Sequence, residues 1–225
     1  MGQILLVRHG QASFGADDYD VLSDAGWAQG RLLGASLAEQ GVVPTAMVRG
    51  DMRRHRETAE AMIEAADWSG AVLPEVRVDA GWDEFDHVGL VAAYPELPDG
   101  PLDRREFQRV FERATERWTS GLAEGYPESY AAFVARVLGS LDAAAADAGP
   151  GATVVVVTSG GTIAVVAAAL ADPDADAAGA ARLWSRFNTV TVNSSVTRVV
   201  VGSTGARLLT FNEHPHLVGE TLTYR

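Results

Sequence analysis

ILLVRHGQ, residues 4–11, runs four apolar residues straight into an arginine, a histidine and a glycine. A continuous apolar run that ends in an abrupt polar switch is the pattern of a fully buried parallel strand delivering side chains to its carboxyl edge. In open α/β sheets ligands bind at that edge. Taken alone, an Arg-His pair is an ordinary loop dipeptide, so the reading depends on the rest of the chain.

Elsewhere strand-like runs alternate with helical ones, which predicts an α/β fold. The spacing predicts a helix over 22–41, capped by Ser23 or Asp24, with Ala25, Ala28, Leu32, Leu33 and Leu37 on one face and Gly41 ending it. TAMVRG (45–50) reads as a second strand, and 51–66 as a helix that Asp51 could cap. EVRVDAGW (75–82) suits an edge strand. The segment from about 85 to 130 is rich in proline and aromatics and carries one amphipathic helix through Phe107, Val110, Phe111, Ala114 and Trp118. It reads as a helical insertion over the sheet's carboxyl edge, within a single domain spanning 1–225. A helix over 129–146 then leads to the strand TVVVVT (153–158). A helix from Thr162, a loop over 172–181 and strands at 194–201 and 206–211 complete the pattern.

With 225 residues, 47% of them hydrophobic and 21% charged, the chain can bury a full core. A formal net charge of -12 argues against nucleic acid or an anionic membrane as partner. The absence of cysteine excludes disulfides and thiol catalysis and fits a reducing, cytoplasmic setting. The run 153–171 approaches the length of a membrane span, but its central Ser-Gly-Gly reads as strand, turn and helix. Oligomeric state leaves no mark.

Of five histidines, only His9 stands where a predicted strand meets a tight glycine turn. Arg54 falls in the first turn of the helix after the second strand, where free N–H groups already favour anions. Arg53 is its rival. Arg8, Arg54 and the Ser159-Gly160-Gly161 turn would converge on one anionic pocket. Arginines there neutralise phosphoryl oxygens without competing as nucleophiles, and they keep His9 in its neutral, nucleophilic form.

These residues resemble the signature of the histidine phosphatase superfamily, also called phosphoglycerate mutase-like. Arg8-His9-Gly10 matches its arginine-histidine-glycine triplet. Leu22-Ser23, Gly26 and Gln29 look like its first helix start, and Arg54 with Thr58-Ala59 like its second arginine. Glu128-Ser129 with Arg136, and Phe211-Asn212 with His216-Leu217, resemble two further landmarks. The matches run in order from residue 4 to 217. The resemblance implies a three-layer sandwich with a mostly parallel central sheet flanked by helices. It also implies phosphomonoester hydrolysis through a phosphohistidine on His9, with Glu84 as proton donor (Asp83 and Asp86 being its rivals). Phosphate would be held by Arg8, Arg54, Ser159 and Gly160. No metal or other cofactor is implied, and the partner is a small phosphorylated substrate or inorganic phosphate.

One landmark is missing. The superfamily usually places a second histidine directly after the late strand, where this chain has Ser159. A neutral hydrogen bond contributes about 0.5–1.5 kcal/mol against about 1.5–3 for a charged one, so turnover is expected to fall about tenfold or more. His214, at the end of the last strand, is one candidate for a compensating donor. Gln11, Ser13, Phe14 and His87 are candidates for the substrate pocket, and Trp82, Phe85, Tyr94, Arg104 and Arg105 for its outer wall. His55 reads as a helix-face residue without a task. The alternatives are a phosphomutase of the same family, a phospho-ligand binding module with weak or no turnover, and a serine hydrolase built on Ser159.

Overall fold

A computed structural model describes residues 1–13, 20–68, 72–98, 100–121 and 125–224, with the side chain of Arg104 also left undescribed. Phe14 therefore lies outside the described residues. β1 (Gly2–Arg8), β2 (Ala46–Arg49), β3 (Val76–Val78), β4 (Thr153–Thr158), β5 (Val196–Gly202) and β6 (Gly205–Glu213) form one sheet in the order β3-β2-β4-β1-β5-β6. The first four are mutually parallel; β5 runs antiparallel to β1, and β6 antiparallel to β5. This is the expected mostly parallel sheet.

Helices α1 (Asp24–Glu39), α2 (Arg53–Ala65), α3 (His87–Ala92), α4 (Arg104–Thr119), α5 (Tyr130–Asp147), α6 (Gly160–Ala171) and α7 (Ala177–Val190) make the outer layers. Strand side chains alternate between two cores. Leu5, Val7, Met47, Val155 and Val157 pack with Leu33, Leu37 and Met62 of α1 and α2. Ile4, Leu6, Val48, Val154 and Val156 pack with residues of α3 to α7. Because both faces are covered, β1 and β4 read as unbroken apolar runs rather than alternating ones.

Several boundaries differ from expectation. Asp51 does not cap α2: the N-cap is Met52, without a side-chain bond, and the Asp51 N–H goes to Asp83. The chain turns into α6 at Gly160, two residues before Thr162. The expected loop 172–181 ends inside α7, which Asp176 caps and which buries Trp184 against Phe85, Trp118 and Tyr130. The inner face of α1 is also different. Ser23 caps the helix as expected, but Gly26, Gln29, Gly30, Leu33, Gly34 and Leu37 are buried, while Ala25, Ala28 and Leu32 face solvent. The physical reason is close approach: a β-carbon on Gly34 would overlap the Met62 carbonyl of α2.

The edge where the parallel strands end is the one that matters. From β1 the chain crosses to β2, beyond β4; from β4 it passes through α6 and α7 to β5, beyond β1. The two connections leave in opposite directions, which opens a crevice between the carboxyl ends of β1 and β4. Arg8 is opposite Thr158 in the register, so His9 and Ser159 emerge side by side.

Candidate active site

His9 is buried at the end of β1, its backbone N–H bonded to Thr158 and its carbonyl accepting from Ser194 and Asn193. The ring is oriented by its own chain: Nδ1 lies 2.7 Å from the Gly10 carbonyl. A carbonyl can only accept, so the neutral ring carries its proton on Nδ1 and presents the lone pair at Nε2. Burial holds the imidazole well below its usual pKa, and Arg54, Arg8 and His55 push it the same way, against the Gly10 bond. The turn beyond is tight because a β-carbon on Gly10 would collide with Gly26 of α1. Gly10 N–H is held by Thr58 Oγ1, which in turn donates to the Arg54 carbonyl. The Arg54…Thr58 spacing thus locks the histidine turn onto α2.

Of Arg53 and Arg54, Arg54 is the one whose charge acts on His9. It is buried and paired with Asp20 at 2.8 Å, whereas Arg53 turns to Glu57 at 2.7 Å with a half-exposed side chain. Arg8 lies against Gly160 and donates to the carbonyls of Thr191 and Tyr224.

Glu84 is separated from its rivals by what each carboxylate holds. Asp86 caps α3 through Gly89, and Asp83 takes the N–H groups of Asp51 and Met52. Glu84 instead turns inward, accepting the Gly161 N–H at 2.9 Å. Burial raises its pKa; the Gly161 and Phe85 N–H groups, Arg54 and Arg8 oppose that rise. The loop bearing it is fixed from behind. Arg136 forks onto both Glu128 oxygens at 2.8 Å and donates to the carbonyls of Ala80, Gly81 and Asp83. The Glu128…Arg136 landmark therefore holds the loop that carries Glu84.

Ser159 is fully buried at the N-cap of α6, yet its hydroxyl caps nothing. It lies 2.7 Å from Nε2 of His55. His55 is not a helix-face residue without contacts: it is fully buried, with its ring centroid 5.8 Å from that of His9. Sequence reasoning missed it, although its place directly after Arg54 was a usable signal.

The remaining candidates divide. His87, at the start of α3, is half-buried; burial and then Arg54 lower its pKa. Gln11 is tied to Ser23 and Gln29, and Ser13 N–H to Val21. Trp82 and Tyr94 are core residues rather than an outer wall. Phe85 borders a small hollow with Asp86, Leu90, Trp118, Tyr126, Pro127 and Glu128. Arg105 is exposed at the start of α4. His214 gives Nδ1–H to the Asn212 carbonyl and acts on His216, not on His9. Asn212 holds Val190 and Val192, and His216 holds Ser194, so this late landmark shapes the loop behind His9.

The family model for the histidine phosphatase superfamily (branch 1) matches residues 4–214. The chain belongs to this superfamily. No curated protein matches it in a sequence search. Among solved structures it is similar to Bacillus stearothermophilus YhfR, with 20% identity, 95% of this chain and 98% of that one covered, and a TM-score of 0.69. It is also similar to a mycobacterial glucosyl-3-phosphoglycerate phosphatase solved with VO3 (23% identity, 95% and 100% covered, TM-score 0.61). A phosphoserine phosphatase mutant from Entamoeba histolytica, in complex with phosphoserine, gives 18% identity, 97% and 100% covered, and a TM-score of 0.65. These likenesses bear on the fold. Superfamily membership places the chain among the histidine phosphatases. Among the described residues no helix is long and apolar enough to cross a membrane.

Proposed function

We propose that this chain is a phosphomonoester hydrolase working through a phosphohistidine on His9. The observation that carries the reading is the tautomer imposed by Gly10, which leaves a lone pair at Nε2 beside two guanidinium groups. In the first step Nε2 attacks phosphorus in line and the ester P–O bond breaks. Arg8, Arg54, Ser159 and the Gly160 turn hold the phosphoryl oxygens, and Glu84 gives its proton to the leaving alkoxide. In the second step water attacks phosphorus and loses a proton to Glu84. The P–N bond breaks, the pair returns to Nε2, and inorganic phosphate leaves.

Gln11, Ser13 and His87 border the substrate in this reading, and the 85–130 segment covers the carboxyl edge. His87 supports this by sitting within reach of the Arg54 charge. Phosphoglycerate esters, phosphoserine and sugar phosphates head the substrate screen, since structural neighbours act on or bind the first two. A cytoplasmic location is part of the same proposal, checked by fractionating the source cells.

The test is turnover of an activated aryl phosphate by the parent and by His9→Ala, with acid-stable and acid-labile phosphoenzyme quantified after rapid quenching. Loss of turnover and of acid-labile phosphate in the variant is expected. Tight phosphate or vanadate binding by a parent that never turns over would make the chain a binding module instead.

A further inference from the structure

Where the superfamily's second histidine is expected, this chain has Ser159, and the neighbourhood of that serine is unusual in three ways. First, Ser159 declines its cap: an N-cap serine ordinarily accepts an N–H of its own helix, but here Oγ lies 2.7 Å from His55 Nε2. Second, His55 is completely buried, and its Nδ1 has no hydrogen-bond partner among the described residues, although Asp83 Oδ1 is 3.7 Å away. Third, the space for this pair is reserved. A β-carbon on Gly50 would overlap both His55 Nδ1 and Asp83 Oδ1. A forgone cap and an orphaned buried nitrogen both cost stability, and packing alone explains neither.

We infer that His55, acting through Ser159, supplies the phosphoryl contact that a second histidine makes elsewhere in the superfamily. His55 Nε2–H donates to Ser159 Oγ, and the serine hydroxyl, relieved of any other acceptor, donates to a phosphoryl oxygen on or near His9. Asp83 faces the far nitrogen. An incoming phosphoryl dianion offsets the positive neighbours of His55 (Arg54 on its own helix, Arg49 at the end of β2), and Asp83, 3.7 Å from Nδ1, adds negative charge on the far side without a hydrogen bond. The imidazole has moved from the strand end to the facing helix, with a hydroxyl bridging the gap. His55 is thus a positioning residue, and its role rests on the phosphohistidine reading above.

The rival use of the same three residues is a serine nucleophile with His55 as base and Asp83 as orienter. The 3.7 Å between His55 and Asp83 is too long for the hydrogen bond that arrangement needs.

The test is a double-mutant cycle on the full chain, using an aryl phosphate for turnover and vanadate for affinity. His55→Ala and Ser159→Ala are each expected to lower kcat about 10- to 100-fold and to weaken vanadate binding. The double variant is expected to be no worse than the poorer single one, because each change breaks the same relay. His55→Gln, whose amide can donate to Ser159, is expected to recover part of the loss and guards against a His55→Ala variant that does not fold. Folded His55 variants with parental turnover, or losses that simply multiply, would overturn the relay, as would labelling of Ser159 by a fluorophosphonate. His9→Ala separates the two levels: if it keeps turnover, the phosphohistidine reading falls and takes the relay with it. If it is inactive while the His55 variants match the parent, only the relay falls.

Discussion

Glu84 Oε2 accepts the backbone N–H of Gly161 at 2.9 Å, and a β-carbon on that same glycine would overlap the Glu84 carboxylate. The acid can occupy its place only because position 161 has no side chain. Gly161→Ala should therefore behave like Glu84→Gln. Turnover of an alkyl phosphate should fall about 10²- to 10⁴-fold, the usual value of a positioned general acid. An aryl phosphate with a stable leaving anion should suffer far less. Parental alkyl-phosphate turnover in a folded Gly161→Ala variant would contradict the role given to Glu84.

The pH dependence of turnover follows from two opposed environments. His9 must be neutral to attack, and burial, then Arg54 and Arg8, hold its pKa well below 6.5. Glu84 must be protonated to assist, and burial raises its pKa above 4.5. The kcat/KM profile should therefore be a bell, its acid limb reporting His9 and its alkaline limb reporting Glu84. Glu84→Gln should lose that limb. A profile measured from about pH 3 to about pH 8 that keeps it would assign the limb to another group.

Stability should also depend on pH, with a definite sign. His9 and His55 both have folded pKa values well below 6.5, chiefly through burial. Below pH 6.5 the unfolded chain takes up protons that the folded chain refuses, so stability is lost as pH falls from 6.5 toward those depressed values. Glu84 works the other way, because its raised pKa favours the folded state at low pH, a benefit lost as pH rises through it. With His87 and His216 also lowered and Asp83 also raised, four histidines against two carboxyls make net acid destabilisation the expectation. The urea midpoint should drop between neutral and mildly acid pH, and His55→Gln should flatten that dependence. An equally steep dependence in the variant would show that His55 is not one of the groups responsible.

Arg136 offers a test of how the acid-bearing loop is held. Its guanidinium reaches Glu128 with both forks and the Ala80, Gly81 and Asp83 carbonyls between 2.9 and 3.2 Å. Arg136→Lys keeps the charge but cannot span these acceptors. Turnover should fall about 10-fold or more, since misplacing a catalytic group by about 1 Å costs up to about 10²-fold. Faster amide exchange confined to residues 80–85 should accompany the loss. Unchanged exchange with reduced turnover would point to a direct role for Arg136 instead.

Two helical glycines should respond in opposite directions to alanine. In Gly34→Ala the new methyl meets the Met62 backbone of α2, so overpacking of about 1–3 kcal/mol should outweigh the gain in helix propensity. Gly139, within α5, has nothing within 4 Å of the added carbon, so Gly139→Ala should stabilise by about 0.5–1 kcal/mol. Denaturant midpoints at constant m-value decide both.

Much of the fold was legible because its signals are local. β4 runs from Thr153 to Thr158 as expected, and Ser23, one of the two caps expected for α1, caps it. α7 escaped because its composition continues the Ala/Asp/Gly stretch before it and only Trp184 is deeply buried along its length. The inner face of α1 was misjudged because the helix presents glycines where α2 comes close, and only the partner's position makes those glycines necessary.

The candidate site divides along the same line. Arg8, His9, Gly10 and Arg54 are set by strand ends and a helix first turn, which alternating and continuous apolar patterns place without knowledge of the partners. The resemblance and the Arg54…Thr58 spacing select Glu84 over Asp83 and Arg54 over Arg53, but the contacts that surround Glu84, Arg54 and His55 involve Gly161, Asp20, Gly50 and Ser159, which come from other segments. Periodicity reports which way a side chain leaves its own backbone; what that side chain meets is decided only when the sheet brings distant segments together.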